Sequence, residues 1–211
     1  MTKPILFSGA MVRAILDGRK SMTRRVVKPK HQPFIDNLLK KFLGGEWGNR
    51  PLPYRPGMKL WVRETWIPYD TGDNWVAIAY KASYDDDMYG SAADQGATKT
   101  FPASEELVDK FKSDIEGYEV CGSKWHPSIF MPRKFSRITL EVVSVRVERL
   151  QEITEEDAVR EGCTHTGLGV AADEIESARE QFQRLWDSIY SETFPWKSNP
   201  WVWVIEFRRL P

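Results

Sequence analysis

Cysteine is scarce in this sequence. Cys121 and Cys163 stand far apart and without a C-x-x-C spacing. That excludes a cysteine-built zinc framework and gives no disulfide scaffold. Histidine is equally thin: His31, His126 and His165 stand singly, with no ligand spacing. No metal and no cofactor is expected, and the acidic run Asp85–Asp87 reads as a solvated loop. Long apolar runs are missing too. Nothing approaches the ~18 consecutive apolar residues a membrane helix needs, and the first residues lack the apolar core and cleavage pattern of a secretory leader. The chain is expected to be cytoplasmic and monomeric, with no membrane partner.

Net charge is also absent: 30 basic residues balance 30 acidic ones. Its distribution is uneven. Residues 1–60 carry 13 Lys/Arg against three acids, Asp17, Asp36 and Glu46. A basic opening segment suits a phosphate-binding surface, or simply pairs with the acidic remainder in the fold. What the sequence does hold is apolar bulk: 41% hydrophobic residues and nine tryptophans in 211 positions, enough to bury a core. The length suits one domain, residues 1–211, with an insertion.

Ile5–Phe7 reads as a short strand. Ser8 sits where a helix N-cap belongs, with Ala10, Ala14 and Ile15 on one face and Gly18 as the left-handed residue that ends the helix. Phe34–Phe42 suggests a short helix. Gly44-Gly45, Pro51, Pro53 and Pro56-Gly57 mark turns. Lys59–Trp66 alternates as a strand, and Trp75–Tyr80 is another. Residues 67–124 read as an insertion. From 82 on it is acidic and weakly periodic, with a mobile loop and one short helix near Glu105–Phe111 expected. Arg137–Leu150 is the clearest β signal, alternating over 14 residues. Thr154 with Asp157 has the form of a capping box. Ala172–Ile189 is an amphipathic helix with Ile175, Ala178, Phe182, Leu185, Trp186 and Ile189 on its stripe. Trp201–Phe207 closes the chain as a buried strand. Several strands, a few helices and no βαβ rhythm predict an α+β domain around a small barrel.

Chemistry concentrates in Gly18-x-Lys20-x-x-Thr23-x-Arg25. A glycine ends a helix, the chain turns, and a lysine, a hydroxyl and an arginine enter a strand together. Such a junction suits binding of an anion or a polar base edge. It also suits activation of the hydroxyl, if burial lowers the lysine pKa far enough for it to act as a base. A solvated basic turn is the plainer reading.

The run Gly18-Arg19-Lys20-Ser21-Met22-Thr23-Arg24-Arg25 resembles the G-x-K-x-x-T-x-R fingerprint of the ASCH domain, a branch of the PUA-like superfamily. Pro56-Gly57-Met58-Lys59-Leu60-Trp61-Val62 is similar to that family's PGD-x-L-x-V strand entry, with Met58 and Lys59 in place of the commoner pair. Leu150–Gly162 and Trp201–Phe207 follow in the family's order. The likeness covers roughly residues 1–66 and 125–211. With VRETW and Trp125–Arg133 it looks like the longer form common in phages and prophages. It implies a PUA-like β-barrel flanked by helices, with the inserted loop region outside the likeness. It implies RNA or a modified nucleoside as partner. In small bacterial members it implies an amidohydrolase that converts N4-acetylcytidine to cytidine and acetate. Carried over, the catalytic set is Lys20, Thr23 and Glu161, with Glu155 or Glu156 as the alternatives one helical turn away. Thr23 would attack the acetyl carbonyl, Lys20 act as base, Glu161 handle the proton of the leaving amine, and Arg25 or a backbone amide steady the oxyanion.

Further candidates for substrate or nucleic-acid binding are Arg24, Glu64, Trp61, Trp66 and Arg133. Glu64 could offer a carboxylate to a base edge or be a strand-end carboxylate paired with Arg63 or a neighbour. Trp61, Trp66 and Trp125 could stack a base or fill the core. Trp186, Trp201 and Trp203 read as core. Arg133, Lys134 and Arg137 form a second basic cluster that could extend a phosphate track with Arg24, Arg25, Lys28 and Lys30. Beside the hydrolase stand a non-catalytic RNA-binding or modified-base-reading module and a ribonuclease, for which no catalytic residues are visible.

Overall fold

The computed structural model describes residues 2–28, 53–84, 98–115, 125–164 and 176–211. The helix expected over Phe34–Phe42 and the run Asp85–Asp87 lie outside them. The chain groups into two compact units, each assembled from separated stretches. One is Met1–Asp17, Lys59–Leu140 and Arg209–Pro211; the other is Gly18–Met58 and Glu141–Arg208.

In the first unit, β1 (Thr2–Leu6) pairs in parallel with β3 (Lys59–Arg63). Helix α1 (Gly9–Leu16) starts where expected, the Ser8 hydroxyl accepting the Met11 amide at 3.4 Å. It buries Val12, Ala14 and Ile15, whereas Ala10 faces solvent. The run 59–66 breaks at Glu64-Thr65, and β4 (Trp66–Gly72) begins a three-stranded antiparallel sheet with β5 (Trp75–Tyr80) and β6 (Thr98–Pro102). Strand β5 is buried from Val76 through Tyr80, which is why it reads as a continuous apolar run. Helix α2 (Glu105–Ile115) packs Val108 and Phe111 against Trp66, Val76, Ile78, Tyr80, Met131 and Phe135. The expected loop therefore carries a strand, and its helix runs further than expected. Strand β6 escaped notice because Phe101 is the one large apolar side chain in it.

In the second unit, β2 (Met22–Val26) pairs antiparallel with β8 (Trp201–Arg209), Thr23 opposite Ile205 and Arg25 opposite Trp203. Strand β7 (Thr139–Arg149) neighbours β8 on its other edge, from Glu141 on within this unit. Helix α3 (Glu155–Arg160) is capped by Thr154, whose hydroxyl accepts the Asp157 amide at 3.2 Å. Helix α4 (Ala178–Tyr190) begins later than its apolar period suggests, because Ser177 and Glu180 form a capping box that fixes its start. Ala178, Phe182 and Trp186 carry its buried stripe; Ile189, expected on it, is 50% exposed, and the Tyr190 ring packs on Trp186 instead. Together with Met22, Leu150, Trp196, Val202 and Val204 they form the core. Trp203 belongs to the core as expected, while Trp201 is half-buried beneath the Arg149 guanidinium.

The chain is a mixed α+β protein, but its described strands form open sheets. No pairing among the described residues closes a barrel: β4 and β6 remain edges of their sheet, and β2 remains an edge beside β8. No helix among the described residues is long and apolar enough to cross a membrane.

Gly18 has φ +75°, and an added Cβ there would meet nothing within 4 Å. Gly18→Ala therefore tests backbone strain alone. It is expected to lower stability by about 1–2 kcal/mol, read as a lower urea midpoint at unchanged slope.

Candidate functional site

After Gly18 the chain enters β2 at a fixed position. The Ser21 amide donates to the Arg160 carbonyl at 2.9 Å and the Ser21 carbonyl accepts the Phe207 amide at 2.9 Å. The entry to β2 is thus held between β8 and the end of α3. That end is Glu161, the helix C-cap, followed by Gly162 at φ 95°. The Lys20 Nζ donates to Glu161 Oε2 at 2.6 Å and to the Glu161 carbonyl oxygen at 2.6 Å. Both residues are 3% exposed. Burial holds the Lys20 ammonium below its ordinary pKa; the Glu161 carboxylate opposes the shift without cancelling it.

Arg24 continues the network. Its Nε and Nη2 donate to Glu148 Oε1 at 3.1 and 2.5 Å, Nη2 also to Asp157 Oδ2 at 2.5 Å, and Nη1 to Glu161 Oε1 at 3.3 Å. Arg146 bridges the same acids, reaching Glu148 Oε2 at 2.9 Å and Asp157 Oδ2 at 2.5 Å. Three cations face three carboxylates, so the charges of the network balance, with Arg146, 40% exposed, on its solvent side. Burial alone would lower the Arg24 pKa, yet Glu161, Glu148 and Asp157 raise it. The Phe182 ring lies 5.8 Å from its guanidinium. Arg24, expected to face nucleic acid, has a side chain with 0% exposure. Its fork is filled by carboxylates and offers no donor to a phosphate in solvent.

Sequence reasoning missed Arg146, Glu148 and Asp157 as partners. A signal existed: Arg146 and Glu148 are polar on one face of an apolar strand, and Asp157 stands where a capping box carries Glu or Gln. Its amide bonds Thr154, but its carboxylate goes to the arginines. Of the three helix acids considered, Glu161 is the buried one. Glu155 and Glu156 are exposed, Glu155 accepting the Arg179 amide at 2.8 Å.

Thr23 is 3% exposed. Strand alternation sends its side chain to the face opposite Met22 and Arg24, beside Arg25, Trp203 and Ile205. Lys20 and Glu161 are therefore in direct contact, and Thr23 lies on the adjoining strand with its neighbours on the other face. Arg25 is half-buried; Tyr54 near it is pushed up in pKa by burial, which the Arg25 charge partly offsets. Cys163 is buried, and burial, aided by Glu161, pushes its thiol up to about 11. It is a thiol rather than a nucleophilic thiolate at neutral pH.

In the first unit Glu64 is 1% exposed. Arg137 grips it with both arms, Nε to Oε1 at 2.9 Å and Nη2 to Oε2 at 2.8 Å, and Nη2 also donates to Ser83 Oγ at 2.8 Å. Glu64 is thus paired, but with Arg137 from far along the chain rather than with the adjacent Arg63. The Arg137 guanidinium lies 4.1 Å from the Tyr80 ring, and the Tyr80 hydroxyl donates to the Phe135 carbonyl at 2.8 Å. Burial, then the Glu64 charge, pushes the Tyr80 phenol well up. Tyr80→Phe strands that carbonyl in the core. It should cost about 1–2 kcal/mol in a denaturant titration.

Trp61 and Trp66 are 8% and 5% exposed. The Arg63 guanidinium covers Trp61 at 4.8 Å, while Trp66 packs on Phe111 and Phe135 and stacks on His126 at 4.8 Å. Both tryptophans fill the core. Trp125 is half-buried beside Tyr84 and Lys81, and Arg133 is exposed. Among the described residues no group of three or more His, Cys, Asp or Glu could hold a metal ion.

Fold and site together define a mixed α+β protein with a cluster of buried charged residues in each unit, Lys20, Arg24, Asp157 and Glu161 in one and Glu64 with Arg137 in the other. Neither a family description nor a curated protein matches the sequence. Among solved structures the chain is similar to an ASCH domain from Lactobacillus crispatus JV V101, with 10% identity and a TM-score of 0.39, over 99% of this chain and 79% of that one. A likeness of that size assigns neither fold nor function.

Proposed function

We propose that this chain is an ASCH-type amidohydrolase acting on N4-acetylated cytidine nucleosides. The observation that carries the reading is the buried Lys20–Glu161 pair at 2.6 Å, with the lysine held below its ordinary pKa. A lysine so placed is available as a neutral amine at lower pH than a solvated one, which is what a general base requires. It lies three positions before Thr23 in the fingerprint Gly18-x-Lys20-x-x-Thr23-x-Arg25.

In this reading the Thr23 hydroxyl, which faces away from Arg24 in the free protein, turns toward Lys20 when substrate binds, and the Lys20 amine takes its proton as the oxygen bonds to the acetyl carbon. The resulting ammonium returns that proton to N4 as the C–N bond breaks, releasing cytidine. Water then cleaves acetyl-Thr23 to acetate and restores the hydroxyl. Both Glu161 oxygens already accept from cations, and its backbone carbonyl accepts from Lys20 as well. Its work is to position the lysine rather than to touch substrate. In this reading Arg25, on the Thr23 face of β2, would meet the developing oxyanion or the base.

A second reading is a module that binds RNA or reads a modified base without turnover. The observation favouring it is the closed charge balance around Arg24, which is what a purely structural clamp between β2, β7 and α3 would show. Incubation with N4-acetylcytidine, followed by chromatography of cytidine, separates the two. Release of cytidine is expected. Salt-dependent binding of RNA with no cytidine released would leave only the second reading.

A further inference from the structure

One part of the first unit remains unused by that chemistry. The stretch Trp125–Arg137 contains no Asp or Glu, and carries His126, Arg133, Lys134 and Arg137. It is pinned at both ends. His126 exchanges backbone hydrogen bonds with Trp66 at 2.8 and 3.2 Å and stacks on its ring, and Arg137 is bound to Glu64. Between them lie two 3-10 turns, Ser128–Phe130 and Arg133–Phe135, entered from Pro127 and Pro132. Met131 and Phe135 anchor the stretch, at 1% and 0% exposure. A rigid ledge results, and it displays apolar side chains outward: Ile129 is 55% and Phe130 70% exposed, the latter the most exposed large hydrophobic side chain among the described residues.

Two exposed cations, Arg133 and Lys134, stand beside it. Arg24, Arg137, Arg146, Arg160, Arg184 and Arg208 all pair with carboxylates. Arg133 and Lys134, like the exposed Lys28, Lys59, Lys99 and Lys197, have no carboxylate partner among the described residues; what sets them apart is their place beside Phe130 on a stretch without acids, and Lys134 lies over the Phe135 ring at 5.1 Å. An open aromatic face and two uncompensated cations, on a stretch without acids, match a polyanion whose flat bases are free to stack. A duplex hides its base faces, whereas a single strand offers them. A lipid surface fits less well. Two apolar side chains and two cations give little insertion area, and stable anchoring takes more than one weak signal.

We infer that the ledge Pro127–Phe135 is a contact site for single-stranded nucleic acid, with Phe130 stacking on a base and Arg133 and Lys134 meeting phosphates. The inference is independent of the hydrolase reading, because it uses none of Lys20, Thr23 or Glu161 and predicts binding rather than turnover.

Fluorescence anisotropy of the full chain with a labelled single-stranded RNA dodecamer, and with the same sequence as a duplex, tests it. Wild type should prefer the single strand. Phe130→Ala should weaken single-strand binding by about 5- to 100-fold, and Phe130→Tyr should retain it. The double variant Arg133→Gln/Lys134→Gln should flatten the slope of log affinity against log salt by about 1.4. Each variant should unfold at the wild-type temperature, and Phe130→Ala and Phe130→Tyr should release cytidine from free N4-acetylcytidine as wild type does. Equal affinity for strand and duplex, or wild-type binding by Phe130→Ala, overturns the inference. So does binding to phosphatidylserine vesicles with none to the oligonucleotide. Loss of cytidine release in wild type with single-strand binding intact would sink the hydrolase reading and leave this one standing.

Discussion

Replacing Arg24 with methionine should destabilise the chain by about 3–5 kcal/mol, the usual cost of breaking a buried ion pair by removing one partner. The physical reason is what stays behind. Glu148, Asp157 and Glu161 would lose the fork that joins them, with only Lys20 and Arg146 to offset them. Methionine fills the space against Phe182 but supplies no donor. Arg24→Lys should not rescue it, because a single ammonium cannot present the guanidinium's divergent donors to three acids at once. Adding Asp157→Asn to Arg24→Met should recover part of the loss, since one uncompensated charge is then gone. Lys20→Met should cost less than Arg24→Met, because Glu161 keeps Arg24. Urea unfolding followed by tryptophan fluorescence reads all four. Should Arg24→Met keep the wild-type midpoint, the network does not hold this unit together.

Lys20→Ala and Thr23→Ala should each lower kcat/KM for N4-acetylcytidine by about 10²- to 10⁴-fold, the range for loss of a general base or of the group it activates. The pH profile carries a sharper test. Lys20 must lose its proton to act as a base, so the rate should rise with pH. Because its pKa is lowered, the rise should fall below 10.5, the ordinary lysine value. Glu161 works against that lowering. Glu161→Gln should therefore lower the Lys20 pKa further and move the rising limb to lower pH, a shift that loss of packing alone would not produce. A limb that stays in place would remove Glu161 from the positioning role. Wild-type turnover by Lys20→Ala would end the hydrolase reading.

Local rules made much of the chain legible before any coordinates. Ser8 and Thr154 cap helices and Gly18 adopts positive φ, because each depends on one or two neighbouring backbone groups. The strands around Trp75–Tyr80, Thr139–Arg149 and Trp201–Arg209 follow from apolar run or alternation. Less legible was β6, where one inward Phe101 gives too weak a period. The start of α4 was missed because the Ser177–Glu180 capping box outweighs an apolar pattern that continues upstream.

By itself, the sequence determined the helix caps, the strongest strands and the fingerprint that brings Lys20, Thr23 and Arg25 to one junction, since these are set within a few residues. Only the tertiary structure decided that Glu161 meets Lys20, that Arg24 is spent on three acids, that Glu64 belongs to Arg137, and that Phe130 is left uncovered. Those outcomes depend on residues distant in the chain. Once the core packs, a buried charge must find an opposite one, and a side chain left outside keeps whatever surface the packing did not need.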